Sequence, residues 1–147
     1  MRAGSRVAIA VPAAGSIVVD GRLNDWPATA PEHPLRRVTA GDPINDDSDF
    51  AASFRLAWDD EGGLYIAVDI IDEAVVINDG SGDWRTQDGI ELVLRAASSD
   101  EEGAVHQIAL WGDHLLGSDQ GLQLQTSGDA GHRLFEWRID TASLDID

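Results

Sequence analysis

ASFRLAWDDEGGLYIAVDIIDEAVVINDGSGDWRTQDGIELVLR, residues Ala52–Arg95, is the stretch that decides the fold. Phe54, Leu56 and Trp58 alternate with Ser53, Arg55 and Ala57. After Asp59-Asp60-Glu61-Gly62-Gly63 the alternation resumes, with Leu64, Ile66, Val68 and Ile70 interleaved by Tyr65, Ala67, Asp69 and Ile71. Side chains on a strand point to opposite faces in turn, so period-two patterning on both sides of an acidic, glycine-containing turn predicts a β-hairpin. A polar segment carrying Trp84, Arg85, Gln87 and Asp88 follows. A third strand then opens with Ile90, Leu92 and Leu94 on one face and Glu91, Val93 and Arg95 on the other.

Outward from this hairpin the same grammar recurs. Val7–Val11 and Ile17–Val19 read as short strands separated by Pro12–Gly15, and Asp20-Gly21 marks a turn before Leu23–Pro27. From Ala28 to Asp49 there is little periodicity, with four prolines from Pro27 to Pro43, which predicts a long surface connection with one short strand near Arg36–Thr39. Val105–Trp111, Leu115–Leu116, Gly121–Thr126 and Leu134–Ile139 are further strand patterns, and Thr141–Leu144 suits one helical turn. No sustained 3.6-residue apolar pattern exists. Short strands separated by turn residues predict an all-β, antiparallel β-sandwich of jelly-roll-like form in one domain, residues 1–147. A chain this long buries roughly 70% of its unfolded surface, enough for a core without disulfides.

Composition excludes several functions. The formal net charge is −17, which opposes both nucleic-acid phosphates and an anionic membrane surface. No apolar run approaches the ~20 residues of a membrane helix. The chain has no Cys and no Lys, removing thiolate and lysine chemistry together. The apolar run Val7–Ala14 is short for a signal peptide and broken by Pro12, so a first strand is expected there.

Catalytic signatures are absent. There is no H-E-x-x-H, G-x-S-x-G or G-x-G-x-x-G, and His33, His106, His114 and His132 lack metal-ligand spacing. Glu91 and Glu136 would form a glycosidase pair only at a separation of ~5–9 Å, a guess any two strand carboxylates permit. No catalytic residue is therefore assigned.

Trp84 sits among polar neighbours and reads either as an exposed platform or as core. An indole suits a neutral polyol because the axial C–H groups of a pyranose stack on it while Glu and Gln fix hydroxyls. Glu91 interrupts an apolar run and is either a solvated edge-strand carboxylate or a hydrogen-bond acceptor for ligand; Gln107 and Arg95 are further ligand-binding candidates. Trp58, Trp111 and Trp137 fall on apolar strand patterns and are expected in the core, with Trp26 packed over the sandwich end. Asp20, Asp25, Asp60, Asp72 and Asp88 lie in or next to turns, as turn-formers or as oxygen ligands for a hard cation.

VDGRLNDW (Val19–Trp26), RLAWDDEGGLYIAVDIID (Arg55–Asp72), WRTQDGIELVL (Trp84–Leu94) and FEWRIDTASL (Phe135–Leu144) occur in that order. Together they resemble the family 9 carbohydrate-binding modules and their DOMON-like relatives, from about Val19 to Leu144. The resemblance implies a β-sandwich without catalysis, structural calcium at its edge, and a sugar gripped between two tryptophans with Glu and other polar residues. Trp84 and Glu91 match the tryptophan and glutamate of that motif. The family's second tryptophan belongs to strands beyond the FEWRID-like segment, so the resemblance implies a sandwich finished by further sequence, a second copy or an adjoining domain. It also implies a carbohydrate ligand and an extracellular or periplasmic location. The same fold serves as the outer sensor domain of bacterial receptors, which is the alternative function.

Overall fold

The computed structural model describes residues 7–35, 44, 46, 50–77, 82–83, 86–95, 105–117, 120–129 and 131–144. The strands are β1 (Ala10–Pro12), β2 (His33–Leu35), β3 (Phe50–Trp58), β4 (Gly63–Asp72), β5 (Gly89–Arg95), β6 (Val105–Trp111), β7 (His114–Leu116), β8 (Leu122–Asp129) and β9 (His132–Asp140). A 3-10 turn spans Thr141–Leu144. They form a β-sandwich. Sheet A runs β1-β3-β4-β9-β8 with β2 also on β3, and sheet B runs β5-β6-β7. All pairings are antiparallel except β1 on β3.

The β3–β4 hairpin forms where the alternation predicts, with Phe54 opposite Val68 and Leu56 opposite Ile66. Its turn is organised by Asp59, whose Oδ1 accepts the N–H groups of Glu61 at 2.9 Å and Gly63 at 2.7 Å. Gly62 takes φ 84°, the left-handed region that glycine enters without Cβ cost. The other oxygen, Oδ2, accepts from the Tyr65 hydroxyl at 2.8 Å and from Arg138 Nη2 on β9 at 3.3 Å. One carboxylate thus closes the turn and ties it to the neighbouring strand.

Burial alone would raise the Asp59 pKa, but these N–H and O–H donors and the Arg138 charge outweigh it and hold it below the ordinary carboxylate value. A depressed folded pKa stabilises the fold above the unfolded value and loses that contribution as pH falls through the folded pKa. The melting-temperature gap between wild type and Asp59→Asn should therefore be steady near neutrality and close below about pH 4. A gap that stays constant down to strongly acidic pH would contradict this role.

Ile66, Val68, Phe135, Trp137 and Ile139 from sheet A meet Ile108 and Leu110 from sheet B in the main core. A second apolar layer covers the opposite face of sheet A, where Ile17, Trp26 and Ala30 pack on Ala57, Tyr65 and Ala67. The centre of sheet A is consequently buried on both sides, which is why Tyr65–Val68 and Leu134–Trp137 are all buried. Burying one such large side chain stabilises the fold by roughly 1.5–3 kcal/mol.

Several expectations are revised by this packing. Ile17–Val19 forms no strand, and its Ile17 instead packs within the second layer. Trp26 lies on the outer face of sheet A rather than over the sandwich end. Trp137 is core at 1% exposure, but Trp58 is 41% exposed. Trp58 lies in line with Leu56 and opposite Leu64, at the last position of β3. The strand expected at Arg36–Thr39 falls outside the described residues, and β2 at His33–Leu35 precedes it.

Candidate functional site

The outward face of sheet B carries three of the predicted ligand residues, Glu91, Arg95 and Gln107. Ile90, Leu92 and Leu94 turn toward the core, so Glu91, Val93 and Arg95 turn to solvent. On β6, Ile108 and Leu110 are core, which puts Gln107, Ala109 and Trp111 on the same outward face. Glu91 pairs with Ala109 and Val93 with Gln107, making Glu91 and Gln107 diagonal neighbours. Gln107 Nε2 donates to Glu91 Oε1 at 2.6 Å. Beside them Val93 and Val105 are 59% and 51% exposed. The face is an apolar strip with a carboxylate–amide pair set in it, and Arg95 opposite Val105 at its end.

Trp111 departs from the core expectation. It pairs with Gly89 on the outward face, half-buried, and its indole lies against that glycine. A Cβ at Gly89 would fall 2.7 Å from ring Cε3 and 2.5 Å from the Leu110 carbonyl oxygen, so only glycine fits there. The sequence carries the signal: Trp111 is odd-numbered in an alternating strand whose core positions are Ile108 and Leu110, so the alternation itself turns it outward.

The polar segment that leads into β5 is fastened at its base. Asp88 N donates to Val76 O at 2.8 Å, and Val76 N returns a bond to Asp88 Oδ2. Gly112 N donates to Asp88 O at 2.8 Å, joining the base to the β6–β7 turn. Gln87 is buried and packs over Gly112. Trp84 and Arg85, within this segment in sequence, lie outside the described residues.

Glu136 is on the other side of the molecule. It is 0% exposed, between the core residues Phe135 and Trp137 but turned to the opposite face. Its Oε2 accepts the N–H groups of Asp20 and Gly21, each at 2.8 Å, and its Oε1 accepts Trp26 Nε1 at 2.7 Å. Ser127 Oγ also donates to Gly21 O at 2.6 Å. The VDGRLNDW segment is therefore clamped onto sheet A by a carboxylate supplied with donors. Sheets in a sandwich stack about 10 Å apart, and Glu91 and Glu136 point away from each other on opposite outer faces. That places them beyond the ~5–9 Å a glycosidase pair requires, and the pairing is withdrawn.

The five turn aspartates are distributed rather than gathered. Asp60 and Asp72 flank opposite ends of β4, Asp88 lies at the start of β5, and Asp20 and Asp25 are in the N-terminal layer. No three His, Asp or Glu residues converge as a metal cage among the described residues. Asp88 Oδ2 and Asp72 Oδ1 accept backbone N–H groups of Val76 and Ala74. Asp25 differs: Oδ2 accepts Val18 N at 2.7 Å, while Oδ1 is buried with no hydrogen-bond partner. A buried carboxylate oxygen without a donor is where a cation would compensate desolvation.

A cleft of about 530 Å³ lies on the outer face of sheet A, with Asp69, Ile71 and His132 on its floor and Glu32, Leu35 and Ile44 on its walls. His132 Nε2 and Asp69 Oδ1 are 2.6 Å apart in its lining. It carries no tryptophan, and its chemistry fits stacking on a sugar ring less well than the sheet B face.

The sequence profile of the carbohydrate family 9 binding domain-like family matches residues 19–106, more than half of the chain. A search of curated proteins found no match. Two solved structures share the fold. One is a family 9 carbohydrate binding module from Caldicellulosiruptor kristjanssonii in complex with cellotriose, 21% identical, covering 90% of this chain and 67% of that one, with a TM-score of 0.63. The other is such a module from the same organism in complex with glucose, 21% identical, covering 88% and 66%, with a TM-score of 0.62. This chain spans about two-thirds of the length of both. With the sandwich and the profile match in agreement, the chain belongs to the carbohydrate family 9 binding domain-like family.

Proposed function

We propose that this domain is a non-catalytic carbohydrate-binding module that holds a sugar or a polysaccharide end on the outward face of sheet B. The observation that carries this reading is the Gln107–Glu91 pair at 2.6 Å on a face where Val93 and Val105 stay exposed. A pyranose presents C–H patches to such an apolar strip and hydroxyls to a carboxylate and an amide. Arg95 adds donors at the end of the face, and Trp84 supplies the stacking ring from the preceding segment. Family membership and the cellotriose and glucose complexes of the fold relatives support the ligand class. Polysaccharides are met outside the cytoplasm, so the module works in an extracellular or periplasmic setting, joined to a further domain that acts on or senses the bound glycan.

Calorimetric titration with cellotriose tests the reading. Wild type should bind, and Glu91→Ala should weaken binding by about tenfold, the worth of a hydrogen bond to a charged group. Unchanged affinity in Glu91→Ala would move the site away from this face.

Among the turn aspartates, Asp25 is the one suited to ligate calcium, through the buried Oδ1 that accepts no hydrogen bond. A bound ion there would offset part of the −17 charge and fasten that layer. Calcium should raise the melting temperature of wild type at constant ionic strength and leave Asp25→Ala unmoved. Identical wild-type scans in EDTA and in millimolar calcium would count against a calcium site.

A further inference from the structure

We infer that the cleft on the outer face of sheet A is a second ligand site, one that takes a small organic ammonium ion with an apolar body. It is independent of the sugar reading, because this face lies across the sandwich from Glu91 and Gln107.

The concavity follows from the strands beneath it. Pro34, Ser53 and Asp69 stand in one row across β2, β3 and β4. Ala51, Ile71 and His132 form the next row, across β3, β4 and β9. Ser53 and Ala51 are small, so the middle of the floor is low between taller neighbours. Further along the same strands, Ala57, Tyr65 and Ala67 are covered by Ile17, Trp26 and Ala30. The rows at Ser53 and Ile71 instead open into the cleft, whose volume of about 530 Å³ falls within the range of small-molecule sites, roughly 300–1,000 Å³.

Apolar surface stays accessible inside this space. Ile71 is 46% exposed and Leu35 is 45% exposed, and both line the cleft with Pro34. Large aliphatic side chains in a concave wall can be covered together by one apolar body, which releases the water they hold. That is the part of the affinity that does not depend on charge.

Charge then selects the ligand class. Glu32, Asp46 and Asp69 bring three carboxylates to the lining, and His132 is the one basic side chain among the described lining residues. Glu32 Oε2 accepts Arg55 Nη2 at 2.9 Å, which leaves Asp69 as the carboxylate set beside the apolar floor. His132 Nε2 engages Asp69 Oδ1 at 2.6 Å, so the carboxylate is held in place and Oδ2 is the oxygen an ammonium takes. Such an N–H to carboxylate bond is charge-assisted, and about twice as strong as a neutral one. An anion would instead meet these carboxylates and the −17 net charge of the chain. No three His, Asp or Glu residues converge as a metal cage among the described residues, and the walls of Pro34, Leu35 and Ile71 suit an organic body.

The test titrates the whole chain with phenethylamine, its neutral isostere phenethyl alcohol and the anion phenylacetate near neutral pH, following amide chemical shifts. Saturable shifts are expected at Ala51, Ser53, Asp69, Ile71 and His132, and none at Glu91 or Gln107. The alcohol should bind about tenfold more weakly than the amine, and phenylacetate should not bind. Asp69→Asn keeps the shape and an acceptor for His132, and should lower the amine's affinity to that of the alcohol without changing the alcohol's. Ile71→Ser should weaken amine and alcohol alike. Both side chains are partly exposed, so each variant should fold, and cellotriose affinity should be the same in both as in wild type. An alcohol or phenylacetate that matches the amine would overturn the selection of ammonium, as would undiminished amine affinity in Asp69→Asn. Absence of saturable shifts at these five residues would overturn the site. Displacement of the amine by cellotriose would show one shared site and overturn the second. If cellotriose binds nowhere while the amine responds as expected, the sugar reading falls and the ammonium site stands.

Discussion

Replacing Glu136 with alanine should remove roughly 3–5 kcal/mol of folding stability, a large share of what a domain of this size possesses. The side chain is fully buried and accepts three N–H bonds. Truncation leaves the buried Gly21 and Trp26 donors and the part-buried Asp20 N–H without an acceptor. Each such group costs about 1–3 kcal/mol, partly relieved if the N-terminal layer lifts away. Glu136→Gln should be intermediate, because one amide oxygen can serve either the two backbone donors or the indole, while its NH2 faces donors. Trp26→Phe removes the indole bond alone and should be strongly non-additive with Glu136→Ala. Urea unfolding monitored by tryptophan fluorescence measures wild type, the three single variants and the double variant. A Glu136→Ala protein within about 1 kcal/mol of wild type would show that the N-terminal layer is not held by this carboxylate.

Trp84→Ala should abolish measurable cellotriose binding and leave the melting temperature nearly unchanged. Stacking on an indole is the apolar half of sugar recognition, and no second tryptophan of the described residues on the sheet B face except Trp111, pressed against Gly89, stands ready to replace it. The contrary outcome is equally sharp. If the ring is core, removing it costs about 3–5 kcal/mol and much of the protein unfolds. Parallel titration and thermal melts of Trp84→Ala and Trp84→Phe separate the two, since Phe keeps an aromatic face in a smaller volume. Large destabilisation with binding retained in the folded fraction would take Trp84 out of the site.

The sandwich itself was legible from one dimension. Asp59, Gly62 and Gly63 form a turn through local bonds between residues two and four apart, and period-two alternation specifies which side of β3 and β4 seeks a core. Both are properties of neighbouring residues, so they need no tertiary context. Glu91 and Gln107 were likewise readable as outward residues, although their bond joins two strands.

Alternation could not say what covers the other face. Ala57, Tyr65, Ala67 and Glu136 occupy positions that pattern alone assigns to solvent, yet all are buried because Ile17, Trp26 and Ala30 return across the sheet. Glu136, which the pattern offers only as one of two strand carboxylates, is a clamp 110 residues from the indole it holds. Trp58 errs in the opposite sense, on a core-facing register but exposed at the end of β3, where among the described residues three strands of sheet B face six of sheet A. Sequence determined each strand and the direction of its side chains; which of those directions met protein was decided by how far the second sheet and the N-terminal layer extend, a matter of contacts between residues far apart in the chain.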